Sequence, residues 1–147
     1  MINFRKITEE NFDAIIQMKR PAEEHFVASN SVSLAQAWLY RDDGDVYPFA
    51  IYNDDTVVGF MLLEEDDEEE RRLNLWRIMF PEEHTNKGYG TAAVRLLIQL
   101  ARDSQKYDAI YLDCAPGNQI ARHVYEKIGF VATGAINYGD AEMKLPL

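Results

Sequence analysis

Cysteine, histidine and basic residues are all scarce in this chain, and each scarcity excludes something. Cys114 is the one cysteine among 147 residues, so there is no internal disulfide, and a reducing compartment fits. Three scattered histidines and one thiol do not make a metal site. Apolar runs are short: Val57–Leu63 is interrupted by Gly59 and falls well below the ~20 residues needed to span a bilayer. Met1–Lys6 lacks the apolar stretch of a signal peptide, so a cytoplasmic protein without a membrane partner is expected. Lys and Arg number 15 against 25 Asp and Glu, a net charge of −10. Nucleic acid calls for a basic face, so none is expected as a partner. The acidic field suits a cationic partner, or simply keeps a protein in solution.

What the chain does contain is ordinary for a globular protein: 47% hydrophobic and 27% charged residues. Its length predicts one domain spanning residues 1–147, enough to bury about 70% of the unfolded surface. Ile2–Ile7 reads as a strand. Thr8 caps a helix with acids in its first turn and Phe12, Ile15 and Ile16 at helical spacing, ended by Pro21. Ser33 reads as a second N-cap, with Leu34, Ala37 and Trp38 behind it. Tyr47–Tyr52 and Thr56–Leu63 flank the turn signal Asn53-Asp54-Asp55. Glu64 to Glu70 is a run of seven acids, read as a solvated loop or as a lip that gathers cations. Leu73–Phe80 is a strand stopped by Pro81. A helix from Tyr89 to Lys106 puts Ala93, Leu96, Leu97, Leu100 and Ala101 on one face. In Ala109–Cys114, Ile110, Leu112 and Cys114 alternate with Tyr111 and Asp113. Asn118 caps an amphipathic helix, Gly129 closes it in a left-handed conformation, and Phe130 can fold back on Tyr125. Two strands, Phe130–Thr133 and Ala141–Leu145, finish the chain around Asn137-Tyr138-Gly139-Asp140. The order β-α-α-β-β-β-α-β-α-β-β predicts a mixed α/β fold.

Two motifs carry chemistry. Thr85-Asn86-Lys87-Gly88-Tyr89-Gly90-Thr91 stands directly ahead of a helix. A helix N-terminus leaves backbone N–H groups unpaired and its dipole favours anions, so a glycine-rich turn there can hold phosphate. Gly88 and Gly90 let a ligand approach the backbone, and Lys87 adds a charge. The alternative is an ordinary turn that starts a helix. Gly88-Tyr89-Gly90-Thr91-Ala92-Ala93 also fits a dinucleotide fingerprint with Asp113 downstream. Against that, Pro81–Lys87 separate the glycines from their strand, and too few βα units follow. The second motif is Asn118, Ala121, Tyr125, Gly129 and Phe130, whose spacing places Asn118 and Tyr125 on one helix face.

In this order, one strand apart, the two motifs resemble the GNAT superfamily of acetyl-CoA-dependent N-acetyltransferases. The resemblance covers essentially the whole chain. Phe26-Val27-Ala28, Ser33-Leu34-Ala35-Gln36-Ala37 and Trp76-Arg77-Ile78-Met79 look like the bacterial spermine/spermidine (diamine) group. The resemblance implies a GNAT-like, mostly antiparallel central sheet flanked by helices, with acetyl-CoA as cosubstrate. It also implies a small cationic amine as acceptor, such as spermidine or spermine, and is compatible with a homodimer. The backbone of Ile78, Met79 and Phe80 would pair with the pantetheine arm. Amides from Thr85, Asn86, Lys87, Gly88, Tyr89, Gly90 and Thr91 would hold the pyrophosphate. Asn118 would touch the pantetheine, and Tyr125 would protonate the thiolate. Trp76 stands where many members carry a carboxylate base. Glu23, Glu24 and His25, between the first two helices, are the acid/base and substrate candidates. Other amines, such as an aminoglycoside or a protein N-terminus, fit the same chemistry, and a non-catalytic acyl-CoA sensor is the rival class.

Overall fold

Short loops between neighbouring amphipathic strands build most of one seven-stranded sheet. The computed structural model describes residues 1–21 and 26–147. The elements are β1 (Ile2–Lys6), α1 (Glu9–Gln17), α2 (Asn30–Leu39), β2 (Val46–Asn53), β3 (Thr56–Asp66), β4 (Arg72–Met79), α3 (Tyr89–Ser104), β5 (Ala109–Cys114), α4 (Gln119–Ile128), β6 (Val131–Asn137) and β7 (Asp140–Pro146). Single 3₁₀ turns lie at Arg41–Asp43 and Glu82–His84. The order agrees with the sequence expectation. The strands lie β1-β2-β3-β4-β5-β7-β6, antiparallel throughout except for the parallel pair β4–β5.

Each face of the sheet has its own core. Ile15, Ala37, Ala50, Phe60 and Leu62 pack on the α1–α2 face, with Trp76 against them. Met61, Leu75, Leu97, Ile110 and Phe130 belong to the larger core on the α3–α4 face. Each fully buried large side chain contributes about 1.5–3 kcal/mol.

Three expectations shift. The second helix is capped by Ser29, whose Oγ accepts the Val32 amide at 3.3 Å, and not by Ser33. Buried Asn30 anchors that earlier start by donating to the Ile15 carbonyl of α1 at 2.9 Å. On α3 the buried stripe is Ala93, Val94, Leu97, Ile98 and Ala101, while Leu100 is half exposed, so the helix is rotated from the expected face. The acidic run is not all loop. Glu64, Glu65 and Asp66 extend β3 opposite Asn74, Leu73 and Arg72, and the Tyr107 hydroxyl donates to Glu65 at 2.7 Å.

The feature that positions the site is a seam that opens. β4 and β5 pair only at Arg72–Ala109, Leu73–Ile110 and Asn74–Tyr111. Beyond these, Leu75–Met79 and Leu112–Cys114 run on with no ladder between them, although β5 pairs with β7 along its whole length. On the other edge of β4 the register slips between Leu62–Arg77 and Leu63–Leu75. Trp76 is the extra residue of that bulge, a device that re-aims side chains.

Candidate active site

The wedge between the diverging strands is a chamber of about 300 Å³. Leu75–Ile78 form one wall and Leu112–Ala115 the other. Phe26–Ala28, Asn118, Ala121, Tyr125 and the β6–β7 turn residues Asn137, Tyr138 and Asp140 complete it. A second cleft, of about 280 Å³, continues along Ile78 and Phe80 to the turn before α3. Val27, Ile78, Asn118, Ala121 and Tyr125 line both, so the two form one groove.

At the far end of this groove lies the turn before α3, where the sequence predicts an anion cradle. Asn86 and Gly88 are left-handed, with φ of +60° and +77°. Gly88 is the N-cap of α3 and has no side chain to offer, so the first-turn amides keep their hydrogens. Among the described residues, the amides of Asn86, Lys87, Gly88, Tyr89, Gly90 and Thr91 donate to no protein group. Thr85 is a correction: its amide donates to the Glu82 carbonyl at 3.2 Å, and its hydroxyl to the same oxygen at 2.8 Å. The turn itself uses those donors, so the cradle begins at Asn86. Lys87 is exposed beside it, and Arg20 lines the same cleft. His84 lines the same cleft, and its buried Nδ1 has no hydrogen-bond partner among the described residues. A row of unpaired amides at a helix N-terminus is the donor set a diphosphate requires.

The floor of the groove is equally local in origin. Phe80 is wedged behind the cradle: a Cβ on Gly59 would lie 2.7 Å from its ring, and one on Gly90 would lie 3.6 Å away. Asn118 Oδ1 accepts the Ala121 amide at 3.3 Å and caps α4, which leaves the side-chain NH₂ as the donor this residue can turn toward the groove. Tyr125 lies two helix turns further on, where the two clefts meet. Phe130 meets its ring edge-on at 5.8 Å, held there by the φ of +125° at Gly129 and a 3.0 Å bond from the Phe130 amide to the Tyr125 carbonyl.

The chamber end carries charges that sequence reading placed elsewhere. Arg77 Nη1 donates to Ser33 Oγ at 3.1 Å and to Gln36 Oε1, tying the cation to α2. Burial lowers its proton affinity, yet a guanidinium stays charged. Asp113 lines the chamber and accepts from Asn137 Nδ2 at 2.9 Å. Partial burial, with Glu142 and Asp140 nearby, raises its carboxyl above the ordinary range. Burial likewise pushes the Cys114 thiol up, and its Sγ lies 3.7 Å from the Asn118 carbonyl, as befits a core residue. Glu23, Glu24 and His25 lie outside the described residues. The alternation of β5 was the signal that could have found Asp113: if Cys114 faces the core, Asp113 faces the opposite side of the wedge.

A model of the acetyltransferase (GNAT) family matches residues 9–130. The spermine/spermidine N(1)-acetyltransferase of Bacillus subtilis is 27% identical over 143 residues, covering 93% of this chain and 92% of the relative. The crystal structure of spermidine N-acetyltransferase from Vibrio cholerae, in complex with CoA and spermine, aligns with a TM-score of 0.79. The identity there is 19%, covering 99% of this chain and 95% of that one. An aminoglycoside acetyltransferase in complex with coenzyme A aligns with a TM-score of 0.78 at 20% identity, with the same coverage of both chains.

Proposed function

The chain belongs to the acetyltransferase (GNAT) family and is an N-acetyltransferase that uses acetyl-CoA; from that premise we propose that its acceptor is a primary amine of a small polyamine, spermidine or spermine. The observation that carries this reading is the continuity of the groove. An anion cradle lies at one end, and a chamber with carboxylates and aromatic rings lies at the other. Asp113 and Asp140 beside Trp76 and Tyr138 suit an alkylammonium, by charge and by cation–π attraction. The name of the Bacillus relative and the spermine in the Vibrio structure support the same acceptor.

In this reading the thioester supplies an activated acetyl group, and the chain's own groups position it. The amides from Asn86 to Thr91 hold the diphosphate, and the unladdered edge of Ile78, Met79 and Phe80 holds the pantetheine arm as another strand would. Asn118 steadies that arm from α4. A backbone N–H near Met79 stabilises negative charge developing on the carbonyl oxygen. Tyr125 donates its phenolic proton to the departing sulfur. The amine has to arrive neutral, which costs about 4.6 kcal/mol at pH 7 for a lysine-like pKa. We further propose that residues 1–147 act as one catalytic domain in the cytoplasm, where a reduced Cys114 is stable.

Thiol release from acetyl-CoA across a panel of amines tests the acceptor. Turnover is expected with spermidine and spermine. Turnover confined to aminoglycosides or to peptides with free N-termini would replace the acceptor and keep the chemistry. Tight acetyl-CoA binding with no turnover on any amine would make the protein an acyl-CoA sensor.

A further inference from the structure

We propose that Asp113 is the group that takes the proton from the reacting amine. The proposal rests on the amine-acetyltransferase reading above and names the missing base of that site.

Four observations lead there. First, Asp113 and Tyr125 line the same chamber, one on the strand wall and one on α4. Second, one Asp113 oxygen is fixed by Asn137 Nδ2 at 2.9 Å, which orients the carboxylate and leaves the other oxygen for the ligand. Third, Asp140 is the other carboxylate among the described lining residues, but no side-chain hydrogen bond orients it as Asn137 orients Asp113, and the remaining groups are chemically unsuited. Trp76 has no basic atom, Arg77 is a cation tied to Ser33 and Gln36, and Cys114 is a buried thiol held protonated. Fourth, Asp113 is open to water, so a proton it accepts can leave.

The charges around Asp113 favour its accepting a proton. Glu142, opposite it on β7, and Asp140 at the start of that strand raise its proton affinity, while Arg72 of β4 opposes them and Asn137 of β6 donates to it. Arg72 Nη1 is itself drawn to Glu142 at 3.6 Å, which blunts its pull. On the substrate side, the Arg77 cation disfavours a second positive charge in the chamber and so eases loss of the ammonium proton.

The step balances as follows. The ammonium gives one proton to Asp113, which passes it to solvent. The nitrogen lone pair forms the C–N bond to the acetyl carbon, and the C–S bond breaks with its electron pair going to sulfur. Tyr125 gives sulfur its proton, and the second nitrogen proton restores the phenol. The products are an amide, a thiol and one released proton.

The test is the pH profile of kcat for Asp113→Asn, with the wild type and the best amine from the panel. The wild type should lose activity on the acid side as the base protonates. Asp113→Asn should lower kcat by about 100-fold or more, keep acetyl-CoA affinity within about twofold, and lose that acid limb. Asp113→Glu should restore part of kcat together with the limb. Asp140→Asn should move the limb to lower pH, because it removes a carboxylate that raises the affinity of Asp113. A limb that persists in Asp113→Asn, or a kcat within about threefold of wild type, overturns the proposal. A wild type that turns over no amine overturns the acetyltransferase reading itself and this assignment with it.

Discussion

The two halves of the β4–β5 seam use the same strands to opposite ends. In the closed half, three paired positions are clamped by side chains. Arg71 Nη2 meets Asp108 Oδ1 at 2.9 Å, and Glu70 accepts from the Tyr111 hydroxyl and from Lys144 at 3.3 Å. In the open half there is no ladder, and the Asp113 carboxylate is exposed to water. Proton affinities follow suit. The Tyr111 bond comes first among the causes that lower Glu70, bonds from Arg71 lower Asp108, and burial raises Asp113. The closed half stabilises its carboxylates and so holds the wedge. The open half gives its carboxylate one side-chain donor, Asn137, and no cation at hydrogen-bond distance among the described residues, a setting in which such a group can do proton chemistry.

The largest effect that separates the halves should come from Tyr125→Phe. The ring keeps its edge-on contact with Phe130, so packing is preserved and only the phenolic proton is lost. We expect kcat to fall by about 100-fold, or about 2.7 kcal/mol, with acetyl-CoA affinity nearly intact by calorimetry. An unchanged kcat would remove Tyr125 from the acid role.

Next is Gly59→Ala, which attacks the wall and not the chemistry. Its Cβ would meet the Phe80 ring at 2.7 Å and the Met79 carbonyl at 2.9 Å, and the backbone cannot yield as a flexible side chain could. Overpacking of this kind costs about 1–3 kcal/mol, so the thermal midpoint should drop by several degrees. Because Phe80 also lines the cradle, acetyl-CoA binding should weaken in parallel. A loss of stability with undiminished binding would uncouple the wall from the cradle.

Gly88→Ala is gentler and more local. No atom lies within 4 Å of the added Cβ, but the φ of +77° is left-handed, which costs an L residue about 1–2 kcal/mol. Acetyl-CoA affinity should fall by about tenfold while kcat at saturation stays close to wild type. A kcat loss at saturating acetyl-CoA would mean that the turn also positions the thioester.

Legibility divides along the same line. The turn before α3 and the caps of α4 were readable because their signals are local: Gly88 ahead of a helix, Asn118 at its cap, Gly129 and Phe130 after Tyr125. The element order was readable from hydrophobic period and turn residues, and it holds. What was not readable arises between distant segments. The earlier start of α2 depends on Asn30 reaching Ile15. The fit of Phe80 depends on a glycine in another strand, and the bulge at Trp76 depends on the register with β3. Asp113 was visible in the sequence as a distant match to a dinucleotide motif and as an off-core position in the alternation of β5, but not as a partner of Tyr125. Its place opposite Tyr125 comes from the splay of a parallel pair, which no local pattern encodes.

The smallest effect sharpens the contrast most directly, because it reverses sign between the halves. Glu70 holds its proton less tightly folded than unfolded. Its contribution to stability is therefore complete above the ordinary carboxylate range of about 4.3 and is lost as pH falls through the lower folded value. Asp113 holds its proton more tightly when folded, so its ionisation at neutral pH costs stability, and the cost disappears as pH falls below the unfolded value. Thermal midpoints measured from pH 7 to pH 3 should show Glu70→Gln less stable than wild type at pH 7, with the gap closing in acid. Asp113→Asn should be slightly more stable at pH 7, again converging in acid. Shifts of the same sign for both variants would dissolve the distinction between a clamped and an open seam. Opposite signs would mean that the strand holding the wedge together at one end carries, at the other, a carboxylate kept at some expense of stability because the reaction uses it.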